Sequence, residues 1–296
     1  MSASVVVHAF ADEEAPARRL AGCLGVPFGL VEVHAFPDGE TLPTVPACAP
    51  TVIVYRSLDR PNARLVPLLL ATDAWRRGGA RRLILVAPYL CYLRQDTVFA
   101  PGQPVSRDVV GQLLGSRFDR LVTVQAHLHR TPDLSPVFQG IPVTHLSAMP
   151  PLALALGRDP EALVLGPDEE SRPWAEAMAG AMGCGASAFA KIRLGDRDVR
   201  LTLPDGVALA GRRVILADDV CSSGATLEAG VRACKDRGAR SVEIVVAHAL
   251  FDREAGDRLR TAGADRILST DSVVHPSNAV ELCGPLAETL AEELPR

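Results

Sequence analysis

Short runs of β-branched and other apolar residues recur along the chain, at 5–7, 51–55, 82–86, 121–124, 162–165, 213–217 and 242–247. Between them lie stretches with apolar positions at helical spacing, at 63–76, 106–116, 172–182 and 225–237. The apolar runs are continuous rather than alternating, so each strand expects cover on both faces, as in a parallel sheet between helices. Strands alternating with helices predict an α/β fold. A last helix is expected over 278–294.

The Pro-rich stretch 142–151 is the expected internal boundary. It predicts domains of residues 1–145 and 146–275, with the segment 276–296 able to pack on either, the first included. The two sides read alike: LVTVQAHLHR in one and VILADDVCSSG in the other are strand exits into polar residues, which suggests a duplication. A length of 296 residues fits two domains.

Composition narrows the function classes. Hydrophobic residues are 48% and charged residues 22%, enough for sizeable cores. A net charge of −4 offers no global field for nucleic acid or an anionic membrane. Aromatics at 4% are too few for base-stacking platforms. No apolar run is long enough for a membrane span, and the first residues lack the basic start of a signal peptide. Seven scattered cysteines without a C-x-x-C pair suit reduced thiols in a cytoplasm better than a disulfide frame or a zinc site. Of the 31 basic residues only Lys191 and Lys235 are lysines, so each invites its own question.

The densest chemistry is in the segment Val214-Ile-Leu-Ala-Asp218-Asp219-Val-Cys-Ser222-Ser223-Gly224-Ala225-Thr226. A buried strand runs into two acids, then a loop of small residues opens a helix. Backbone N–H groups and hydroxyls there suit a phosphate at the positive helix end, and the acids suit ribose hydroxyls or magnesium. The bland alternative is an acidic turn with Ser223 capping the helix. No G-x-x-x-x-G-K-[ST] or G-x-G-x-x-G is present, which argues against a P-loop kinase and a Rossmann dehydrogenase.

Loop 218–226 resembles the phosphoribosyl-diphosphate motif shared by type I phosphoribosyltransferases and PRPP synthetases. Pro88-Tyr89-Leu-Cys-Tyr92-Leu-Arg94-Gln95-Asp96 resembles the PY-x-x-Y-x-RQD segment of ribose-phosphate diphosphokinases, Phe36-Pro-Asp38-Gly39-Glu40 their F-x-DGE loop, and Pro104-Val-Ser106 their (E/Q)P(I/V)S segment. The resemblance covers nearly the whole chain in the expected order. It implies two tandem phosphoribosyltransferase-like domains, each a mainly parallel sheet flanked by helices, the first for ATP and the second for ribose 5-phosphate.

The resemblance also implies roles. Phe36, Asp38, Gly39 and Glu40 would hold adenine, in a loop commonly lent by a neighbouring subunit of a homo-oligomer, although P-D-G-E alone is ordinary turn chemistry. Arg94, Gln95 and Asp96 would contact ATP, whereas Arg94 read alone is a surface cation. His127 and Asp168 would hold Mg²⁺, although an imidazole is an unusual magnesium ligand. His129 has no such match and reads as structural. Lys191-Ile-Arg193 resembles the catalytic K-x-R, followed by a polar stretch that reads as a mobile loop or hairpin arm. Arg193, Asp218, Asp219, Ser222, Ser223, Gly224, Ala225 and Thr226 would bind ribose 5-phosphate.

Two positions depart from the family pattern. Gln125 stands where the family usually has Asp, and Glu169-Glu170-Ser171 replaces a Gly-Gly stretch, similar to a shorter, archaeal-like branch. The implied reaction is diphosphoryl transfer from Mg-ATP to ribose 5-phosphate. A phosphoribosyltransferase that consumes PRPP shares loop 218–226 but has no use for the F-x-DGE and RQD segments. A non-catalytic regulatory homologue has no use for Lys191, Arg193, His127 and Asp168 together.

Overall fold

The computed structural model describes residues 3–128, 133–193, 199–204 and 206–295. The chain divides into two compact units, Met1–Leu146 with Glu281–Arg296, and Ser147–Val280.

The first unit runs β1 (Val5–Phe10), α1 (Glu14–Leu24), β2 (Phe28–Ala35), β3 (Thr41–Thr44), β4 (Thr51–Tyr55), α2 (Pro61–Arg77), β5 (Arg82–Ala87), α3 (Ser106–Gly115), β6 (Arg120–Val124) and β7 (Val143–Leu146). Its seven-stranded sheet has the order β3-β2-β1-β4-β5-β6-β7. All neighbours are parallel except the β2–β3 hairpin. Val52, Val54, Leu83 and Leu85 from the central strands pack with Leu68, Trp75, Leu114 and Phe138 in a buried core. Helix α1 stops at Gly25, whose left-handed φ of 68° lets its N–H reach the carbonyls of Ala21 and Gly22. Pro61 opens α2, where its missing N–H has no partner to lose.

The second unit runs α4 (Met149–Leu156), β8 (Leu163–Gly166), α5 (Arg172–Met182), β9 (Gly185–Ala188), β10 (Ala190–Arg193), β11 (Val199–Thr202), β12 (Arg213–Cys221), α6 (Ala225–Asp236), β13 (Ser241–Ala249), α7 (Arg253–Thr261), β14 (Arg266–Thr270) and β15 (Asn278–Val280). Six strands form an all-parallel sheet in the order β15-β14-β13-β12-β8-β9. Strands β10 and β11 form a separate antiparallel pair. Val214, Leu216, Ile244, Val246, Val231 and Leu259 fill its core. The α/β class with mainly parallel sheets between helices is the one expected.

The expected helix over 278–294 needs correction. Residues 278–280 are strand β15, tied to β14 by the Asn278 side-chain amide, which donates to Ser269 Oγ and the Thr270 carbonyl. The helix, α8, spans Cys283–Leu290, with Pro285 in its first turn, where no intrahelical N–H is required. Beyond it a short turn at Ala291–Glu293 docks on the first unit. Glu293 accepts from Arg82 at 2.7 Å and Arg120 at 2.8 Å, at the amino ends of β5 and β6. Burial alone would raise the Glu293 pKa, but these two guanidiniums more than offset it and hold the carboxyl below its ordinary range. Among the described residues no helix is long and apolar enough to cross a membrane.

On β1, His8 is fully buried and its Nδ1 accepts from Trp75 Nε1 at 2.9 Å. Burial lowers its pKa from 6.5 to about 4, and the nearby Ala47 backbone offsets only part of this. The unfolded chain binds that proton near pH 6.5, and the folded chain only near 4. The stability this histidine contributes is therefore intact above pH 6.5 and lost as pH falls towards 4. From this group alone about 3 kcal/mol should disappear between neutrality and pH 4. Urea titrations across that range should show the decline, and His8→Gln should remove this part of the slope.

Candidate active site

In the second unit the strand order reverses between β8 and β12, and open α/β sheets bind ligands beyond the carboxyl ends of strands at such a point. Strand β12 extends to Cys221, so Asp218 and Asp219 lie within its last residues rather than beyond it. Asp219 is buried and Asp218 half-buried. Asp219 N–H donates to Asp218 Oδ1 at 3.0 Å, and Val220 N–H to Asp219 Oδ1 at 2.7 Å. Burial first, then repulsion from Asp219 and Asp168, pushes the Asp218 carboxyl well above its ordinary range. Asp168, beyond the end of β8, thus shares an electrostatic environment with this pair.

Asp168 has a local duty as well. It caps the turn Glu169–Ser171, where Ser171 N–H and Ser171 Oγ donate to its Oδ1 at 3.2 and 3.0 Å. The turn is so tight that a Cβ at Gly166 would stand 2.7 Å from Ser171 Oγ and 3.0 Å from the Asp168 carbonyl. The acids that replace a Gly-Gly stretch are exposed, and Glu169 pairs with Arg172 at 2.8 Å.

Past β12, Ser222 and Ser223 are exposed, Gly224 is buried, Ala225 is exposed and Thr226 is half-buried. The structure differs from the bland alternative in which Ser223 caps the helix. Gly224 is the N-cap of α6, with a φ of 77° that suits glycine, and no side chain caps the helix. Ser223 Oγ reaches only the Ala225 N–H, at 3.5 Å. The first turn of α6 therefore keeps N–H groups for a ligand. Arg258 of α7 steadies the loop by donating to the Ser223 carbonyl at 3.0 Å. No motif marked Arg258, whose partner is 35 residues away.

Lys191 and Arg193 both fall on β10, opposite Leu201 and Val199 of β11. The polar stretch after them is thus flanked by the two strands of a hairpin, while residues 194–198 lie outside the described residues. His129 also lies outside them.

In the first unit the RQD segment and His127 follow the carboxyl ends of neighbouring strands, β5 and β6. Arg94 is exposed, with no hydrogen bond or ion pair among the described residues. Gln95 Oε1 accepts from Ser106 Oγ at 2.6 Å, joining the RQD segment to the start of α3. Asp96 and His127 are half-buried. Gln125 is buried with a φ of 43°, and its N–H donates to the Leu146 carbonyl at 2.7 Å.

Phe36, Asp38, Gly39 and Glu40 sit elsewhere, in the exposed turn between β2 and the edge strand β3. The Phe36 N–H donates to the Glu40 carbonyl at 2.8 Å, Glu40 N–H to Asp38 Oδ1 at 3.1 Å, and Gly39 takes a φ of 93°. Phe36 packs edge-on against His34 and stays 40% exposed. Sequence reading also missed a partly buried charge network, Asp12, Glu13, Arg56, Asp59 and Arg64, at the carboxyl ends of β1 and β4. Its signal was present in two further strand exits into charge, Ala-Asp-Glu-Glu and Arg-Ser-Leu-Asp-Arg.

Among the described residues no three His, Cys, Asp or Glu side chains are grouped as a metal cage. Magnesium needs no such cage: it takes one or two carboxylates and keeps waters or phosphate oxygens. Asp219 and Asp168 both repel the charge of Asp218, and a divalent cation would relieve that repulsion, so this carboxylate cluster fits Mg²⁺.

Residues 5–117 match the profile described as the N-terminal domain of ribose phosphate pyrophosphokinase, and 156–282 that of the phosphoribosyl transferase domain. The ribose-phosphate pyrophosphokinase of Methanopyrus kandleri is 35% identical over 278 residues, covering 92% of this chain and 94% of the relative. The chain belongs to the ribose-phosphate pyrophosphokinase family. A Halobacterium salinarum ribose-phosphate pyrophosphokinase is 32% identical over 93% of this chain and 96% of its own. The crystal structure of phosphoribosylpyrophosphate synthetase from Mycobacterium smegmatis superposes with a TM-score of 0.82 at 25% identity, covering 97% of each chain. The family activity is formation of phosphoribosyl pyrophosphate, and several of these relatives are archaeal.

Proposed function

We propose that the chain transfers the β,γ-diphosphoryl group of ATP to the C1 hydroxyl of ribose 5-phosphate, giving 5-phosphoribosyl 1-diphosphate and AMP. One observation carries the reading at residue level. Two acids at the end of β12, at the reversal of strand order, run straight into a Gly224-capped helix. Asp218 and Asp219 orient the ribose hydroxyls, and Ser222, Ser223, Gly224, Ala225 and Thr226 grip the 5-phosphate.

In this reading residues 1–145 form the nucleotide domain and 146–275 the ribose 5-phosphate domain. Arg94, Gln95 and Asp96 receive the ATP, and the exposure of Arg94, without an ion pair among the described residues, supports that role. Phe36, Asp38, Gly39 and Glu40 contact adenine. The exposure of Phe36 beside Val33 and Leu42 on the same hairpin supports a loop lent to a neighbouring copy in a cytoplasmic homo-oligomer.

The C1 hydroxyl oxygen attacks the β-phosphorus and releases its proton to solvent as the bond to the α,β-bridging oxygen breaks, and AMP departs in line. Lys191 and Arg193 neutralise charge that develops on the transferring group, and Arg193 also meets the ribose 5-phosphate. Asp168, beside Asp218 and Asp219, and separately His127 of the first unit are each proposed as a protein ligand of Mg²⁺. When bound, the cation neutralises phosphate charge and holds the triphosphate in a reactive geometry.

The test is AMP formation from ATP that depends on added ribose 5-phosphate; its absence would sink the proposal. Asp168→Asn should raise the magnesium concentration needed for half-maximal rate severalfold. An unchanged magnesium requirement would remove Asp168 from the metal site.

A further inference from the structure

We propose that Glu13 is a positioning residue for the nucleotide segment 88–96, acting through the loop that joins β4 to α2. The proposal rests on the reading of that segment as the ATP site.

The strand order of the first unit reverses between β1 and β4. Its crevice is where an open α/β sheet would hold a ligand, as at β8 and β12 in the second unit. Here protein side chains converge instead. Asp12 and Glu13 follow β1, Arg56 and Asp59 follow β4, and Arg64 lies in the first turns of α2. Arg56 Nη1 reaches Asp12 at 2.6 Å and Glu13 at 3.0 Å. Arg64 reaches Asp12 at 2.7 Å, Glu13 at 3.1 Å and Asp59 at 2.5 Å. The Ser57 N–H donates to Glu13 Oε1 at 2.6 Å, while Arg64 Nη1 also donates to the Ser57 carbonyl at 2.7 Å. Glu13 is 2% exposed and lies at the centre of this network.

Three carboxylates thus face two guanidiniums. Burial pushes the Glu13 carboxyl up to about 7, against the pull of Arg56 and Arg64 and with a push from Asp12. An ionic cluster with a buried centre of this kind adds little net stability, so its value lies in the geometry it specifies.

That geometry leads to the nucleotide segment. Arg56 N–H donates to the Val86 carbonyl and Leu58 N–H to the Tyr89 carbonyl, both at 2.8 Å, and Tyr89 N–H donates to Ser57 Oγ at 3.1 Å. Ser57 therefore touches Glu13 through its backbone and Tyr89 through its side chain. Further along, Tyr92 Oη donates to Asn62 Oδ1 at 2.7 Å. Tyr92 holds a left-handed φ of 61°, a conformation that a tyrosine keeps only with support, and its carbonyl accepts from the Gln95 N–H at 3.0 Å. The chain leading to Arg94 and Gln95 hangs from the loop that Glu13 organises at Tyr89, and from the first turn of α2, which Glu13 holds through Arg64, at Tyr92.

Losing the Glu13 charge leaves the two arginines sharing only Asp12, which is exposed, and weakens the hold on the Ser57 N–H. A displacement of the order of 1 Å at Arg94 and Gln95 is enough to change nucleotide handling by 10²-fold, and part of that is expected. Glu13→Gln should weaken ATP about tenfold in calorimetric titration, with ribose 5-phosphate affinity unchanged and kcat at saturating ATP within about twofold. Tyr92→Phe, which removes one hydroxyl, should shift ATP affinity in the same direction. Wild-type ATP affinity should also fall as pH drops through about 7, beyond the titration of ATP itself, and Glu13→Gln should lack that extra fall.

Arg94→Ala separates the two layers of the argument. If it leaves ATP binding intact, the assignment of segment 88–96 fails and takes this proposal with it. If Arg94→Ala weakens ATP but Glu13→Gln and Tyr92→Phe do not, the positioning role is overturned while the site stands. Equal losses for ATP and ribose 5-phosphate in Glu13→Gln would overturn it too, as a general structural defect. Should Glu13→Gln fail to fold, Ser57→Ala, which removes only the Oγ that accepts from the Tyr89 N–H, decides: unchanged ATP affinity would overturn the positioning role.

Discussion

Lys191→Ala is expected to cut kcat by roughly 10²–10³ while ATP and ribose 5-phosphate still bind with near-normal affinity. A cation that meets charge developing only during transfer lowers the barrier without adding to ground-state binding, which the proposed reading gives to Arg94, Asp218 and Asp219. Lys191 sits on β10, two positions before Arg193. The other lysine, Lys235, is already paired with Asp265 at 2.8 Å, a surface contact that Arg could make equally well. Arginine is the default cation of this chain, so Lys191→Arg is the informative comparison. Partial rescue is expected, because a planar fork cannot place the compact charge of an ammonium at one oxygen. Full activity in Lys191→Arg would make any cation sufficient. A pure KM effect in Lys191→Ala would move the residue to binding.

Asp218→Asn should reduce kcat/KM for ribose 5-phosphate by about 10²-fold, the order expected when a charged hydrogen-bond acceptor is lost from a buried site. Nucleotide affinity should barely change. The direction of the Asp218 pKa adds a second signature. Burial and the charges of Asp219 and Asp168 raise it, so as pH falls this carboxyl takes up a proton before an ordinary aspartate would. Wild-type affinity for ribose 5-phosphate should decline correspondingly early. Asp218→Asn should show only the titration of the sugar phosphate itself. Identical pH profiles for the two proteins would remove Asp218 from the ribose site, as would an equal loss of affinity for ATP.

Much of the fold was legible because parallel strands are locally coded. The run 51–55 became β4 and the amphipathic stretch 172–182 became α5 without change. Strands β2 and β3 escaped notice because the hairpin lies at a sheet edge, where Val31 and Pro43 are its only fully buried residues. The end of the chain was misread for a different reason. Asn278 and Pro285 set local boundaries that an apolar helical pattern does not register. At the candidate site, loop 218–226 was visible because its acids, small residues and helix start are contiguous. The Glu13 network was not, since its partners stand 43, 44 and 51 residues away. Such contacts need a fold before they exist.

The clamp of Arg82 and Arg120 on Glu293 has a consequence during synthesis. The second unit, Ser147–Val280, is one uninterrupted stretch, whereas the first is completed only by Glu281–Arg296. A ribosome adding roughly 5–20 residues per second leaves some 7–30 s between the emergence of β7 and that of Glu293. Throughout that interval the two arginines lack their carboxylate and the amino ends of β5 and β6 lack their cover. The unit encoded later can therefore reach its finished state earlier. The nascent first unit is the one left incomplete until the chain is nearly finished.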